Sequence, residues 1–309
     1  MIVTVTPNPS IDRTLRIPPL VRGRVIRAVS ASAEAGGKGI NVARALALHG
    51  EATLAVAPLS ATSSATFSAL LGAAAPLEAV PIAGPARVNV SLVEDDGTVT
   101  KVNEPGPELH PDEVEALVAR VARVASGARW VGGCGSLPPG APPDLYARIA
   151  ARLPARVRVA VDADGIALRE ATSANVSLLK PNLAELEGLV GRPLPTLGAV
   201  IEAAQGLVEG GIGAVLVSLG ADGAAYVDAE GATHAEAHID DLVNTVGAGD
   251  ALLAGFLAGG GTREALRTAV AWSVAACRSP GTQMRVVAAR DADVVEVHDV
   301  VRADRRLAA

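Results

Sequence analysis

The sequence predicts an α/β protein, an open and mostly parallel sheet with helices on both faces. Three observations predict it. Short β-branched runs alternate with Ala- and Leu-rich stretches of helical length, the rhythm of repeated strand-helix units. Hydrophobic residues make up 50% of the 309 while aromatics supply 2%, so Ala, Val, Leu and Ile must fill the core, which suits strands covered by helices. Two early stretches, 14–33 and 86–104, break the rhythm and read as strand and turn without helix, which predicts a small second sheet projecting from the first. A chain of this length can bury a large core, as one large α/β domain or as two smaller ones.

The elements follow in order. MIVTVTPNPSID alternates as a strand over 2–6 and then meets Pro7 and Pro9, which is neither a signal peptide nor a membrane span. Further strands are expected at 53–57, 130–132, 157–161, 176–179 and 214–218. Helices are expected at 41–49, 111–124, 143–151, 183–190, 197–209, 251–258 and 263–277. EDDG at 94–97 is a hairpin turn signal inside the projecting sheet. The final 30 or so residues, rich in Asp and Arg, carry no clear pattern.

Charge and cysteine usage exclude some classes of function. With 27 basic and 33 acidic side chains the net charge is −6, and no basic block with interleaved aromatics is present to hold a nucleic-acid backbone. Cys134 and Cys277 stand alone without metal spacing, which fits a reduced, cytoplasmic protein.

Four stretches, and the glycine-rich NTVGAGDALLAGF at 244–256, place polar groups where loops should leave the carboxyl ends of strands, the edge at which open α/β sheets bind ligands. In NTVGAGDALLAGF, Gly247, Ala248 and Gly249 precede Asp250, and a helix is expected to begin at about Asp250. A helix start with free amides suits an anion; Asp250 reads either as its cap or as a carboxylate beside that anion. In EAGGKGINVARALALHG at 34–50, Gly37 lets the backbone approach a ligand while Lys38 and Asn41 offer donors, or the segment is a flexible turn. It fails the nucleotide P-loop frame at Gly39, and no G-x-G-x-x-G follows a strand as a dinucleotide site requires. In LLKPNLAELEGLV at 178–190, Asn182 and Glu185 form a capping box, or point into the crevice where a carboxylate holds Mg²⁺ directly or through water. VLVSLGADGA at 215–224 runs a strand into Ser218, Gly220 and Gly223, which border a nucleotide or make a tight hairpin turn. Finally, Arg87 and Asn89 share one strand face and Lys101 and Asn103 share another; such a face is either solvated or suited to a sugar phosphate.

Together these stretches resemble the ribokinase-like (PfkB) sugar kinase family, and within it the 1-phosphofructokinase and tagatose-6-phosphate kinase branch. The likeness runs in order through TPNPSIDRTL, AGGKGINVARALALHG, KVNEPGP, GSLPPG, LLKPNLAELE, VSLGADGA, NTVGAGDALLAGF and PGT at 280–282. GGKGIN and NTVGAGD are highly specific to the family, and KVNEPGP points to the branch. One departure is VDADG at 161–165, where the family commonly has a Thr-Ser pair before the glycine; another is Ala251, where a Ser often follows the catalytic Asp.

The resemblance implies a single ribokinase-like kinase domain over 1–309, with lid segments at about 14–33 and 86–104. It implies that Asp250 is the general base toward a sugar hydroxyl, with the backbone of Gly247, Ala248, Gly249 and Asp250 as the anion hole. Asp12, Gly37, Lys38, Asn41, Arg87, Asn89, Lys101 and Asn103 are then expected at the phosphosugar, and Lys180, Asn182, Glu185, Ser218, Gly220, Gly223, Gly247 and Gly249 at ATP, with Glu185 helping to place Mg²⁺. A monovalent cation such as K⁺ is a further expectation. The lid of this family often pairs with a second copy, which predicts a homodimer in which Arg24 reaches the neighbouring subunit's site. The expected reaction is ATP-dependent phosphorylation of fructose 1-phosphate at its 6-hydroxyl, with tagatose 6-phosphate kinase and 6-phosphofructokinase activities as the alternatives. A non-catalytic sugar-phosphate sensor would be expected to lose the base, and Asp250 is retained.

Overall fold

The structure, a computed structural model, describes residues 1–174, 176–281 and 284–308. Thr282, in the PGT run, lies outside the described residues.

In chain order the strands are β1 (Ile2–Val5), β2 (Ser10–Ile17), β3 (Ser30–Gly36), β4 (Thr53–Leu59), β5 (Leu77–Pro81), β6 (Arg87–Glu94), β7 (Val99–Asn103), β8 (Trp130–Cys134), β9 (Arg158–Asp162), β10 (Leu178–Leu179), β11 (Ala214–Ser218), β12 (Ala224–Asp228), β13 (Gly231–Ala237) and β14 (Val295–His298). The helices are α1 (Lys38–Leu48), α2 (Ala61–Leu71), α3 (Pro111–Val124), α4 (Leu145–Arg152), α5 (Gly165–Ala171), α6 (Leu183–Val190), α7 (Leu197–Glu209), α8 (Ala248–Ala258), α9 (Leu266–Cys277) and α10 (Ala289–Asp293).

Ten strands form the main sheet in the order β14-β13-β12-β11-β10-β9-β8-β1-β4-β5. From β5 to β11 all neighbours are parallel. The strand-helix rhythm then stops: β12, β13 and β14 extend the sheet antiparallel. Alternate residues feed the two larger of three cores among the described residues; the third packs Ala57 and Leu59 of β4 against Ile40 and Phe67. Val3, Val215 and Val217 pack with Leu117, Leu145, Leu168 and Leu197 under α3, α4, α5 and α7, while Ile2 and Leu216 pack with Leu46, Phe256 and Leu266 under α1, α8 and α9. Helices therefore cover both faces, and the strand ends between them remain open as a crevice.

Local chemistry sets several boundaries. Pro181, which has no amide hydrogen, cuts β10 to two residues. Asn182 and Glu185 exchange side-chain bonds with each other's amides at 2.8 Å, and left-handed Gly191 (φ 71°) closes α6. Ser60 caps α2, a helix without a clear apolar stripe and one that periodicity did not predict. β5, α5 and β14 were likewise not foreseen.

The second sheet is real and has the order β3-β2-β6-β7. Its bounds differ from the expected 14–33 and 86–104: strands run from Ser10 to Ile17 and from Ser30 to Gly36, then from Arg87 to Glu94 and Val99 to Asn103. Asp12 therefore lies within this sheet rather than before it. The EDDG turn closes the β6–β7 hairpin, with Gly97 at φ 88°. Register pairs Ser10 with Arg87, Asp12 with Asn89, Asn89 with Asn103 and Ser91 with Lys101. The expected polar residues thus share one face, and Ile11, Leu15, Val88, Val90, Leu92 and Val102 occupy the other.

Candidate active site

The first turn of α8 is the centre of the site. Helix α8 starts at Ala248, two residues before the expected Asp250, because left-handed Gly247 (φ 80°) turns the chain into it. Asp250 is not the cap. It is the third helical residue, its side chain caps nothing, and its Oδ2 accepts from Nδ2 of Asn41 at 2.8 Å. The amides at this helix start come too early for partners within the helix and converge with the positive end of its dipole.

This turn separates two cavities. One, of about 730 Å³, is bordered by Asn182, Ser218, Gly220, Gly223 and Gly249, with Leu252, Val270 and Val274 as an apolar wall. The other, of about 400 Å³, is bordered by Asn41, Arg44, Gly247, Asp250, Ala251 and Met284. The carboxylate faces one compartment while Gly249 faces the other.

Charge is concentrated beneath the turn. Asp162 is fully buried at the end of β9 and holds Nζ of Lys38 at 2.7 Å and Nζ of Lys180 at 2.9 Å. Burial opposes its charge, but the two ammonium groups outweigh burial and pull its pKa below the ordinary carboxylate value. Lys38 responds in kind: burial works against its charge, yet Asp162 raises its pKa above the usual lysine value. Lys38 also lies 4.0 Å from Oε1 of Glu185. Lys180 is 3% exposed, and its Nζ comes within 3.6 Å of where a Cβ on Gly249 would sit, so the ammonium reaches the α8 start. Asp250 is pushed up to about 6, first by burial and then by the charge of Asp162.

The glycines in the GGKGIN segment make room. A Cβ on Gly36 would lie 2.1 Å from Oδ2 of Asp12, and one on Gly37 (φ 120°) would lie 2.5 Å from Cγ2 of Thr6. With that space, α1 starts close enough to α8 for Asn41 to meet Asp250.

The structure gathers the expected residues into three sets. Asn41, Gly247, Ala248, Gly249 and Asp250 meet at the α8 start; Lys38 and Lys180 meet through Asp162, with Glu185 beside Lys38; Asn182, Ser218, Gly220 and Gly223 border the larger cavity. The expected Asp12, Arg87, Asn89, Lys101 and Asn103 lie on the polar face of the small sheet. There Asp12 Oδ1 accepts from Asn89 Nδ2 at 3.0 Å and from Ser10 at 2.7 Å, and Arg87 donates to the Glu104 carbonyl at 3.1 Å. Asn41 Oδ1, Asn89 Oδ1 and Arg87 Nε are buried without partners, so acceptors and a donor stand ready for a polyhydroxyl, anionic guest. Burial lowers the Arg87 pKa from its ordinary value. Lys101 and Asn103 are exposed. Lys38, expected with Arg87 and Lys101, is instead tied to Asp162.

The capping box and the hairpin turn are both present, and neither blocks the cavity side of its motif. Glu185 closes the capping box through Oε2, which leaves Oε1 outside that box, and the glycines at 220–223 turn an antiparallel hairpin while bordering the larger cavity. Sequence reasoning passed over Asp162, though an acid at the carboxyl end of a parallel strand was its signal. It also passed over Arg44, one turn beyond Asn41.

A carboxylate beside an anion-binding helix start, a glycine-walled cavity and a polar sheet face define a phosphotransferase acting on an alcohol group of a sugar. The chain belongs to the pfkB family of carbohydrate kinases, whose sequence profile matches residues 6–288. The 1-phosphofructokinase of Rhodobacter capsulatus is 36% identical over 291 residues, 92% of each chain. That of Escherichia coli K12 is 37% identical over 280 residues, covering 87% of this chain and 89% of the other. Phosphofructokinase-2 of Escherichia coli, solved in complex with potassium, superposes with a TM-score of 0.85 at 31% identity, covering 94% of this chain and 96% of that one.

Proposed function

We propose that the protein transfers the terminal phosphoryl group of ATP to the 6-hydroxyl of fructose 1-phosphate. The observation that carries this reading is the Asp250 carboxylate, held by Asn41 in the first turn of α8, where the amides of Gly249 and Asp250 come too early for partners within the helix. Phosphoryl transfer asks mainly for positioning and charge stabilisation. Asp250 accepts the proton of the attacking hydroxyl at its carboxylate oxygen, and Gly247, Ala248, Gly249 and Asp250 supply amides to the phosphoryl oxygens.

The larger cavity suits ATP in size and in its one apolar wall. Lys180, Asn182, Ser218, Gly220, Gly223 and Gly249 border the nucleotide in this reading. Oε1 of Glu185, a hard oxygen donor free of the capping bonds, fits Mg²⁺, which supplies charge neutralisation at the phosphates. Asp12, Gly37, Asn41, Arg87, Asn89, Lys101 and Asn103 hold the phosphosugar; Lys38 serves from the Asp162 side. One chain of 1–309 acts as a single kinase domain, with the small sheet as a lid that excludes water from the reaction.

We also propose a homodimer through the lid. One face of the small sheet carries Ile11, Leu15, Val88, Val90, Leu92 and Val102, and the β2–β3 loop exposes Leu20, Val21, Val25 and Val29. A second copy would cover this apolar surface and bring Arg24 to the neighbouring site. A cytoplasmic location fits the two unpaired, buried cysteines. No helix among the described residues is long and apolar enough to cross a membrane.

A 6-phosphofructokinase activity is the second reading, favoured by the likeness to phosphofructokinase-2 of Escherichia coli solved with fructose-6-phosphate, at a TM-score of 0.83 and 30% identity. ADP-release rates on fructose 1-phosphate, fructose 6-phosphate, tagatose 6-phosphate and ribose rank the substrates. Fructose 1-phosphate is expected to give the highest kcat/KM, and best turnover on ribose would defeat the phosphosugar assignment.

A further inference from the structure

The turn Gly220–Asp222 shapes one wall of the larger cavity with Gly220, Ala221 and Gly223, yet Asp222 itself is 7% exposed and is not among the residues bordering that cavity. Its three acceptors are all taken from beneath. Oδ1 accepts from Nη2 of Arg305 at 3.0 Å, Oδ2 from the Ala308 amide at 2.6 Å, and its carbonyl pairs with Nε2 of His234 at 2.7 Å. Arg305 bonds a second carboxylate with its other nitrogen, Oε2 of Glu236 at 2.5 Å. Glu236 lies on β13, beside Gly223 in the β12–β13 register, and the end of that strand continues through Ala237, His238 and Ile239 into the adjoining lining of the same cavity. One guanidinium near the C-terminus thus ties together two adjoining stretches of the cavity lining.

The tail is anchored well enough to do this. Carbonyls of Arg305 and Ala303 accept from the amides of Leu197 and Gly198 at 2.9 Å each, which satisfies orphan donors at the start of α7. Leu307 adds a bond to the Pro195 carbonyl at 3.1 Å. A Cβ on Gly198 would lie 2.7 Å from the Ala303 carbonyl, so the tail lies flush on that helix.

The turn has three backbone hydrogen bonds of its own, from the Leu219, Asp222 and Gly223 amides, and Asp222 ties it to the chain outside it. Gly220 (φ 61°) and Gly223 (φ 83°) hold it in a left-handed conformation that glycine adopts freely but does not enforce. The buried Asp222 carboxylate would also repel a nucleotide polyphosphate were it not neutralised. Arg305 supplies both restraint and charge without touching the cavity.

We propose that Arg305 is a positioning residue for the nucleotide: through Asp222 and Glu236 it fixes the cavity walls that receive MgATP. This rests on the assignment of that cavity to the nucleotide.

The test is steady-state kinetics of the full-length enzyme with MgATP and the phosphosugar varied separately. Arg305→Met is expected to raise KM for MgATP on the order of tenfold, with kcat and the sugar KM little changed. In the double variant Arg305→Met with Asp222→Asn the buried charge on Asp222 is gone but the tether to Glu236 and the tail is not restored, so KM for MgATP should stay raised; a full return to wild type would make Arg305 a charge neutraliser only and overturn the positioning role. If Arg305→Met fails to fold, Arg305→Lys retains the charge but one fewer bond, and a rise of about two- to threefold in KM for MgATP is expected. An unchanged KM for MgATP, or an equal rise in both KM values, would overturn the positioning role. Ser273→Trp, which fills the larger cavity, is the separate control: an unaltered KM for MgATP there removes the nucleotide assignment and this proposal with it.

Discussion

Asp250 and Asp162 are both buried acids, and their environments drive them apart. Burial and then the charge of Asp162, against the one amide bond from Asn41, leave Asp250 near 6, while Asp162 holds two ammonium groups and stays ionised. A general base works deprotonated, so kcat should fall as pH drops through about 6 and level off above it. A pH–kcat profile checks this; an acid limb near pH 4 would mean that Asp250 is not the group titrating. The Asn41 bond favours the charged carboxylate, so Asn41→Ala should move that limb to higher pH. Asp162→Asn leaves a 3% exposed Lys180 without its counterion and should cost about 3 kcal/mol, read in thermal unfolding. Lys101→Ala should mainly raise KM for the phosphosugar, and no change would remove Lys101 from the site. The sequence made Asp250 legible because the glycines before it and the apolar run after it are local signals. Asp162 was not legible in the same way, since its partners lie 124 residues before it in Lys38 and beyond it in Lys180, and only folding joins them.

Among elements, α3, α6 and α7 were legible to the residue because caps and periodicity agree: Pro111 opens one, Asn182 and Glu185 another, and Thr196 caps the third. The α8 start was misread by two residues because Gly247 and Gly249 look like loop, although a left-handed glycine is what starts the helix. The antiparallel β12–β14 edge stayed hidden because its strands come from both sides of α8 and α9, and a parallel rhythm gives no warning that it will end. The hairpin between β11 and β12 gives the element-scale prediction. A Cβ on Gly223 would meet the Ala235 carbonyl at 2.0 Å, so Gly223→Ala must deform both the turn and the cavity wall. It should destabilise the fold by more than about 1 kcal/mol and weaken MgATP binding, measured by thermal shift with and without nucleotide.

At the scale of the molecule, the small sheet separates a polar face from an apolar one by strand alternation alone, and both follow from the register of β2 against β6. Leu92→Glu on the apolar face should convert a dimer to a monomer in light scattering at unchanged secondary structure; a wild-type monomer would remove the pairing. In the proposed function a sugar hydroxyl, the Asp250 carboxylate and the transferred phosphoryl group meet at the first turn of α8. The most direct test of that claim is single-turnover phosphoryl transfer from MgATP to fructose 1-phosphate by Asp250→Asn. The rate should fall by a factor on the order of 10²–10⁴ with MgATP affinity little changed, whereas a rate near that of the wild type would contradict the account.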